Sequence, residues 1–110
     1  MRPSSFQVSP EDNVATLLDD AARGVEVAVI GGGSAQVLVA NEQISRGHKV
    51  ALRDLASGEP VLKYGVSIGQ ATAPIQRGDW VHLHNCKSHL DERSSSLDRD
   101  TGAPLDVIYE

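Results

Sequence analysis

Aromatic side chains are scarce: one tryptophan, two tyrosines and one phenylalanine, 4% of the 110 residues. So few rings argue against a surface that stacks nucleobases. Positive charge is also in deficit, ten Lys and Arg against fifteen Asp and Glu, for a net charge of −5. A general binder of the phosphate backbone leans the other way, so no nucleic-acid partner is expected. There is one cysteine, Cys86, which cannot form an internal disulfide and is compatible with a reducing compartment. No run approaches the ~20 apolar residues of a membrane helix. The start, Met1-Arg2-Pro3-Ser4-Ser5, lacks the apolar centre of a signal peptide. The expectation is a soluble cytoplasmic protein with no membrane partner. Hydrophobic residues at 40% and charged ones at 23% fit one ordinary globular domain, its core built from Val, Ile, Leu and Ala.

Three segments are expected. Residues 1–12 are polar, contain two prolines and read as a flexible N-terminal arm. Next, apolar residues at 14, 17, 18 and 21 have the spacing of one helical face. Asp12 or Asn13 would cap this short helix and Gly24 would stop it. Residues 86–110 hold few large apolar groups and a polar run, Asp91-Glu92-Arg93-Ser94-Ser95-Ser96. They read as a loosely docked C-terminal tail. Leu105, Val107, Ile108 and Tyr109 at the end could add an edge strand or grip another chain.

The body between arm and tail reads as β. Val25 to Ile30 and Gln36 to Val39 favour strands and flank Gly31-Gly32-Gly33-Ser34. That pattern predicts a hairpin, because glycine reaches the positive φ of tight reversals. A phosphate cradle is disfavoured, since a second strand rather than a helix follows. A short echo then recurs. Ile44-Ser45-Arg46-Gly47-His48-Lys49-Val50, Leu55-Ala56-Ser57-Gly58-Glu59-Pro60-Val61 and Ile75-Gln76-Arg77-Gly78-Asp79-Trp80-Val81 share apolar-x-x-Gly-x-x-Val. Each predicts an apolar anchor, a glycine turn and a new strand. Glycines among apolar residues from Tyr64 to Ala71 add kinks to short strands.

Functional side chains are densest at Val81-His82-Leu83-His84-Asn85. On a strand, residues two apart share a face, so His82 and His84 would stand side by side. Such a pair suits a divalent metal or acid–base and substrate-anchoring work. Two surface histidines that happen to alternate are the plain alternative. His48 and Lys49 follow the first echo glycine and could contact a carboxylate or form a solvated turn. Lys63-Tyr64-Gly65 reads as an anion site or a strand end. Cys86 reads as a buried or incidental thiol, and His89 falls in the tail.

These pieces, in order, carry a resemblance. Ile44-x-x-Gly47-His48-Lys49-Val50-Ala51, Gly58-Glu59-Pro60-Val61-x-Lys63-Tyr64-Gly65, Ile68-Gly69-x-Ala71 and Ile75-x-x-Gly78-x-x-Val81-His82-x-His84-Asn85 resemble the SAF domain of the altronate and galactarate dehydratase family. That family also includes the small subunit of sulfolactate sulfo-lyase. The resemblance runs from about Asp12 to Asn85 and places an SAF domain at residues 13–85. It implies a mainly β fold, a β-clip of short bent strands, to which the apolar spacing adds one short N-terminal helix. It also implies a carbon–oxygen lyase that eliminates water, or sulfite, from a sugar-acid or sulfolactate-type substrate with divalent iron (Fe2+) or a similar metal.

Carried onto this sequence, His82 and His84 would be catalytic or metal-ligating, with His48, Lys49 and Asn85 binding substrate. The chain stops 25 residues after Asn85 (110 − 85), so a small subunit completed by a large catalytic dehydratase subunit is expected. The alternative is a non-catalytic SAF-type module that binds carbohydrate or protein. The sequence leaves oligomeric state open, a homo-oligomer included.

Overall fold

The computed structural model describes residues 2–33 and 35–88, and among them it contains strands and turns but no helix. The strands are β1 (Ser4–Gln7), β2 (Val14–Leu17), β3 (Glu26–Gly31), β4 (Gln36–Val39), β5 (Lys49–Ala51), β6 (Pro60–Lys63), β7 (Val66–Ala71), β8 (Trp80–Val81) and β9 (Cys86–Ser88). Six of them form one sheet in the order β4-β3-β1-β2-β5-β8, and β6-β7-β9 form a second. Only the β1–β3 pairing is parallel. The mainly β expectation holds, and so does the hairpin: β3 pairs antiparallel with β4 across Gly31, Gly32 and Gly33, all at positive φ.

Three expectations are corrected. The expected N-terminal helix is strand β2. Val14 faces one apolar cluster while Ala15 and Leu17 face another, so both faces of this strand are buried. A strand buried on both sides loses its polar alternation, and the remaining apolar spacing imitates a helix. Within the expected arm, residues 4–7 are strand β1, seated between β3 and β2. Its inward side chains are the polar Ser5 and Gln7, which hid the strand from any hydropathy reading. Ser5 Oγ donates to Ala28 O at 3.2 Å and Gln7 Nε2 donates to Asp12 O at 3.2 Å, so both burials are compensated. At the other end, Cys86–Ser88, expected in the tail, are strand β9. The remainder of that segment lies outside the described residues.

The glycine echo is real and occurs four times, not three. Leu17/Ala21/Gly24, Ala40/Ile44/Gly47, Ala51/Leu55/Gly58 and Ala71/Ile75/Gly78 each place an apolar residue four positions after the first and a glycine three positions later. In every copy the residue after the glycine donates its N–H to the carbonyl three residues back, at 2.9 to 3.2 Å. The glycines have φ of 84°, 89°, 90° and 94°. This is a type II turn, whose third position demands positive φ.

The copies pair off. Ala21 and Ile44 exchange both backbone hydrogen bonds at 2.8 Å, as do Leu55 and Ile75. Gly24 and Gly47 donate to Ala40 O and Leu17 O, and Gly58 and Gly78 donate to Ala71 O and Ala51 O. The carboxylates of Asp20 and Asp54 accept from the Arg46 and Arg77 amides at 2.8 and 2.9 Å. Each double turn has local two-fold character and anchors its own core. Leu17, Ala21, Ala40 and Ile44 belong to one buried cluster, and Ala51, Leu55, Ala71 and Ile75 belong to the other. Strands β2, β5 and β8 form the wall between the two cores.

Candidate functional site

The candidate site grows from the end of that wall. Pairing of β5 with β8 sets Lys49 opposite Val81 and Val50 opposite Trp80. The register brings His48, which follows the turn glycine Gly47, against the residues that follow the turn glycine Gly78. Strand β8 ends at Val81, and residues 82–85 form a turn closed by the Asn85 amide donating to His82 O at 3.1 Å. The expectation of His82 and His84 on one strand face is therefore corrected. The turn breaks the alternation, yet both imidazoles still converge, because each packs on the same indole.

Trp80 is the centre of the group. Its indole N–H donates to His48 Nδ1 at 3.2 Å, with ring centroids 5.5 Å apart. His82 stacks on it at 5.3 Å with 11° between planes. His84 lies tilted against it at 4.8 Å. His48 and His82 meet edge to face at 5.1 Å. Three imidazoles, His48 lying 32 residues before Trp80 in sequence, thus share one aromatic support. His48 and His82 are half-buried and His84 is exposed. The Trp80 backbone N–H donates to the Glu42 carboxylate at 3.1 Å, which fixes the strand end from outside the sheet.

Asn85 is buried and braces the turn with both ends of its carboxamide. Nδ2 donates to Trp80 O at 2.9 Å and Oδ1 accepts from the His82 amide at 3.0 Å. The side chain expected to contact substrate braces the turn that carries His82 and His84. Lys49 is buried and lines a cavity with Ile68, Val81, His82 and Cys86. The cavity measures about 10 Å³, near the room one water molecule needs. Cys86 is buried on β9 in the cavity wall. Lys63-Tyr64-Gly65 is a strand end: Tyr64 and Gly65, at φ 60° and 74°, form the β6–β7 hairpin turn. The Asp12 carboxylate, read from sequence as a helix cap, accepts from the amides of Tyr64 and Gly65 at 3.1 and 2.8 Å. His89 lies outside the described residues.

Sequence reading missed Trp80 and Glu42 as site residues. Trp80 was visible only as a rarity, although it stands two positions before His82.

A family model described as the altronate/galactarate dehydratase SAF domain matches residues 3–89. The chain belongs to this SAF domain family. Altronate dehydratase of Escherichia coli (strain K12) is 44% identical over 81 residues, 74% of this chain and 16% of that protein. Galactarate dehydratase (L-threo-forming) of the same organism is 33% identical over 81 residues, 72% of this chain and 14% of its own length. The (2R)-sulfolactate sulfo-lyase subunit alpha of Chromohalobacter salexigens is 49% identical over 47 residues, 43% of this chain and 50% of that subunit. This SAF domain therefore spans a small fraction of each dehydratase and half of the sulfo-lyase subunit. No helix among its described residues is long and apolar enough to cross a membrane.

Proposed function

We propose that this SAF domain is the small, substrate-facing part of a sugar-acid dehydratase or lyase whose larger catalytic part is another domain or subunit. The observation that carries the reading is the convergence of His48, His82 and His84 on Trp80, with His82 also lining the cavity that holds the buried Lys49. Eliminating water or sulfite from a hydroxy acid removes a proton next to a carboxylate. The dianionic enediolate that forms must be stabilised by cations or hydrogen-bond donors, and a group that titrates near neutrality must move the proton. Imidazoles and a lysine supply both kinds of group. A cytoplasmic setting fits the single buried cysteine.

The need for a partner follows from the site's size. A cavity of about 10 Å³ cannot enclose a sugar acid, and ligand sites generally bury most of the ligand. A second surface has to cover the histidines.

The iron implied by the family resemblance does not fit the described residues alone. Among the described residues no group of three His, Cys, Asp or Glu side chains could hold a metal ion, whereas catalytic sites generally use three protein ligands. His48 Nδ1 also already accepts the Trp80 N–H. Any metal of the assembled enzyme would draw ligands from outside the described residues, whose part is to bind, donate and carry protons.

The test is reconstitution. The purified chain, alone and with ferrous iron, is expected to be inert toward altronate, galactarate and sulfolactate, and adding the large protein that co-purifies with it should produce turnover. Replacing His82 and His84 together with Ala should abolish that turnover while leaving the thermal melt nearly unchanged. Turnover by the lone chain overturns the division of labour, and an unfolded double variant makes the pair structural.

A further inference from the structure

We infer that Trp80 is a positioning residue that holds His48 as the Nε2–H tautomer, making His48 a hydrogen-bond donor to an anionic substrate oxygen. This inference deepens the lyase reading of the site and rests on it for the identity of the oxygen.

The donor inventory decides the tautomer. An indole nitrogen only donates, and a neutral imidazole has one N–H and one lone pair. Trp80 Nε1 lies 3.2 Å from His48 Nδ1 in a partly buried contact. Nδ1 must therefore present its lone pair to the indole, and the ring proton sits on Nε2. Doubly protonated imidazole would set N–H against N–H across the same gap, and the Nδ1–H tautomer would do likewise. Neither form keeps the hydrogen bond.

The consequence separates the three histidines, which sequence could not. With its Nδ1 lone pair engaged and its Nε2 carrying hydrogen, His48 has no free lone pair with which to accept a proton or ligate a metal. What it offers is one N–H donor, held in direction by the indole. Such a donor beside the Lys49 segment suits a carboxylate or the enediolate oxygen that develops from it. Proton transfer then falls to a group other than His48.

The same indole fixes the orientation of all three rings, so truncating it would confuse hydrogen bonding with packing. The chain has a single tryptophan, which removes this difficulty. Production in a tryptophan auxotroph fed 3-benzothienylalanine replaces the Trp80 N–H by sulfur, at one site, with the bicyclic shape kept.

Two measurements decide the matter. In the unmodified 15N-labelled chain, an NMR experiment sensitive to couplings across N–H···N bonds should connect Trp80 Nε1 with His48 Nδ1. His48 should be protonated on Nε2. Absence of the coupling, or a proton on Nδ1, overturns the inference whatever the activity. In the reconstituted enzyme, the sulfur-substituted chain should lose turnover by about ten- to a hundredfold, the usual effect of removing a group that orients a functional histidine. His48→Ala should lose at least as much, and combining the two changes should add little further loss. Full turnover with the sulfur analogue overturns the inference. If the unmodified assembly itself shows no turnover, the lyase reading fails, and the NMR coupling still decides the tautomer.

Discussion

Replacing Gly78 by Ala tests whether the double turns hold the fold together by backbone geometry. Gly58 and Gly78 occupy equivalent turn positions, at φ of 90° and 94°. A side chain at either position costs about 1 kcal/mol for the left-handed conformation alone. At Gly58 nothing lies within 4 Å of an added Cβ, so the cost stops there. At Gly78 the Cβ would collide with the carbonyl oxygen of Val39 and sit 3.2 and 3.3 Å from the Asn41 carboxamide. Relief requires shifting the Val39 backbone, and Asn41, two residues on, moves with it. Asn41 donates its amide to Gly78 O at 3.0 Å, and its Nδ2 to Arg77 O at 2.9 Å and Asp79 Oδ1 at 2.8 Å. Losing these three hydrogen bonds adds about 2–3 kcal/mol at the usual net value near 1 kcal/mol each.

Gly78→Ala should therefore destabilise the chain by about 3–4 kcal/mol, and Gly58→Ala by about 1 kcal/mol. With a urea slope of about 1.5 kcal/mol/M, the unfolding midpoints should fall by about 2–2.7 M and 0.7 M. The single tryptophan sits two residues from Gly78, so its fluorescence reports the transition, and far-UV circular dichroism supplies the second probe that a two-state analysis needs. Equal shifts for the two variants would show that the contact with β4 contributes nothing and would refute the reasoning.

Other outcomes are expected from the same structure. Asn85→Ala leaves the His82 amide and Trp80 carbonyl without their side-chain partner. It should cost about 1–3 kcal/mol and disturb the Trp80 fluorescence, and an unchanged spectrum and melt would remove Asn85 from its bracing role. Asp12→Ala withdraws the carboxylate from the Ser9, Tyr64 and Gly65 amides. Hydrogen exchange at Tyr64 and Gly65 should speed up while exchange in β3 stays slow. The Ala56 backbone amide, and then the Arg53 guanidinium, hold the Glu59 carboxyl below its usual 4.5. A lowered folded value makes the ionised carboxylate stabilising above pH 4.5, with that contribution lost as pH falls through the folded value. Glu59→Gln should flatten this acid limb in urea titrations between about pH 2 and 6, and an identical limb in both proteins would contradict it.

How much was legible in advance varied with the residue. Gly47, Gly58 and Gly78 announced their turns because only positive φ explains a glycine repeated at one place in an otherwise strand-forming pattern. The fourth copy, Ala21-x-x-Gly24, carries the same pattern but follows Val14–Leu17, whose apolar spacing suggested a helix that Gly24 would end. Ser5 and Gln7 gave no strand signal, because buried polar residues look like loop residues until their hydrogen-bond partners are known. The family was readable from the ordered motifs between Asp12 and Asn85, since it depends on residue identity and order alone.

By itself, the sequence determined the mainly β class, the β3–β4 hairpin, the three echo turns and the candidate residues His48, Lys49, His82, His84 and Asn85. Those features are local, set by φ preferences and side-chain chemistry within a few residues. Tertiary structure decided which strand faces are buried and what the candidate residues touch. The antiparallel register Lys49↔Val81 and Val50↔Trp80 joins residues 32 and 30 positions apart (81 − 49 and 80 − 50), and no local preference encodes that pairing. It makes Trp80 the common support of three imidazoles and turns Asn85 inward as a brace. The register is fixed by two cores on opposite faces of β2, β5 and β8, because a slip of one residue would exchange every side chain between them.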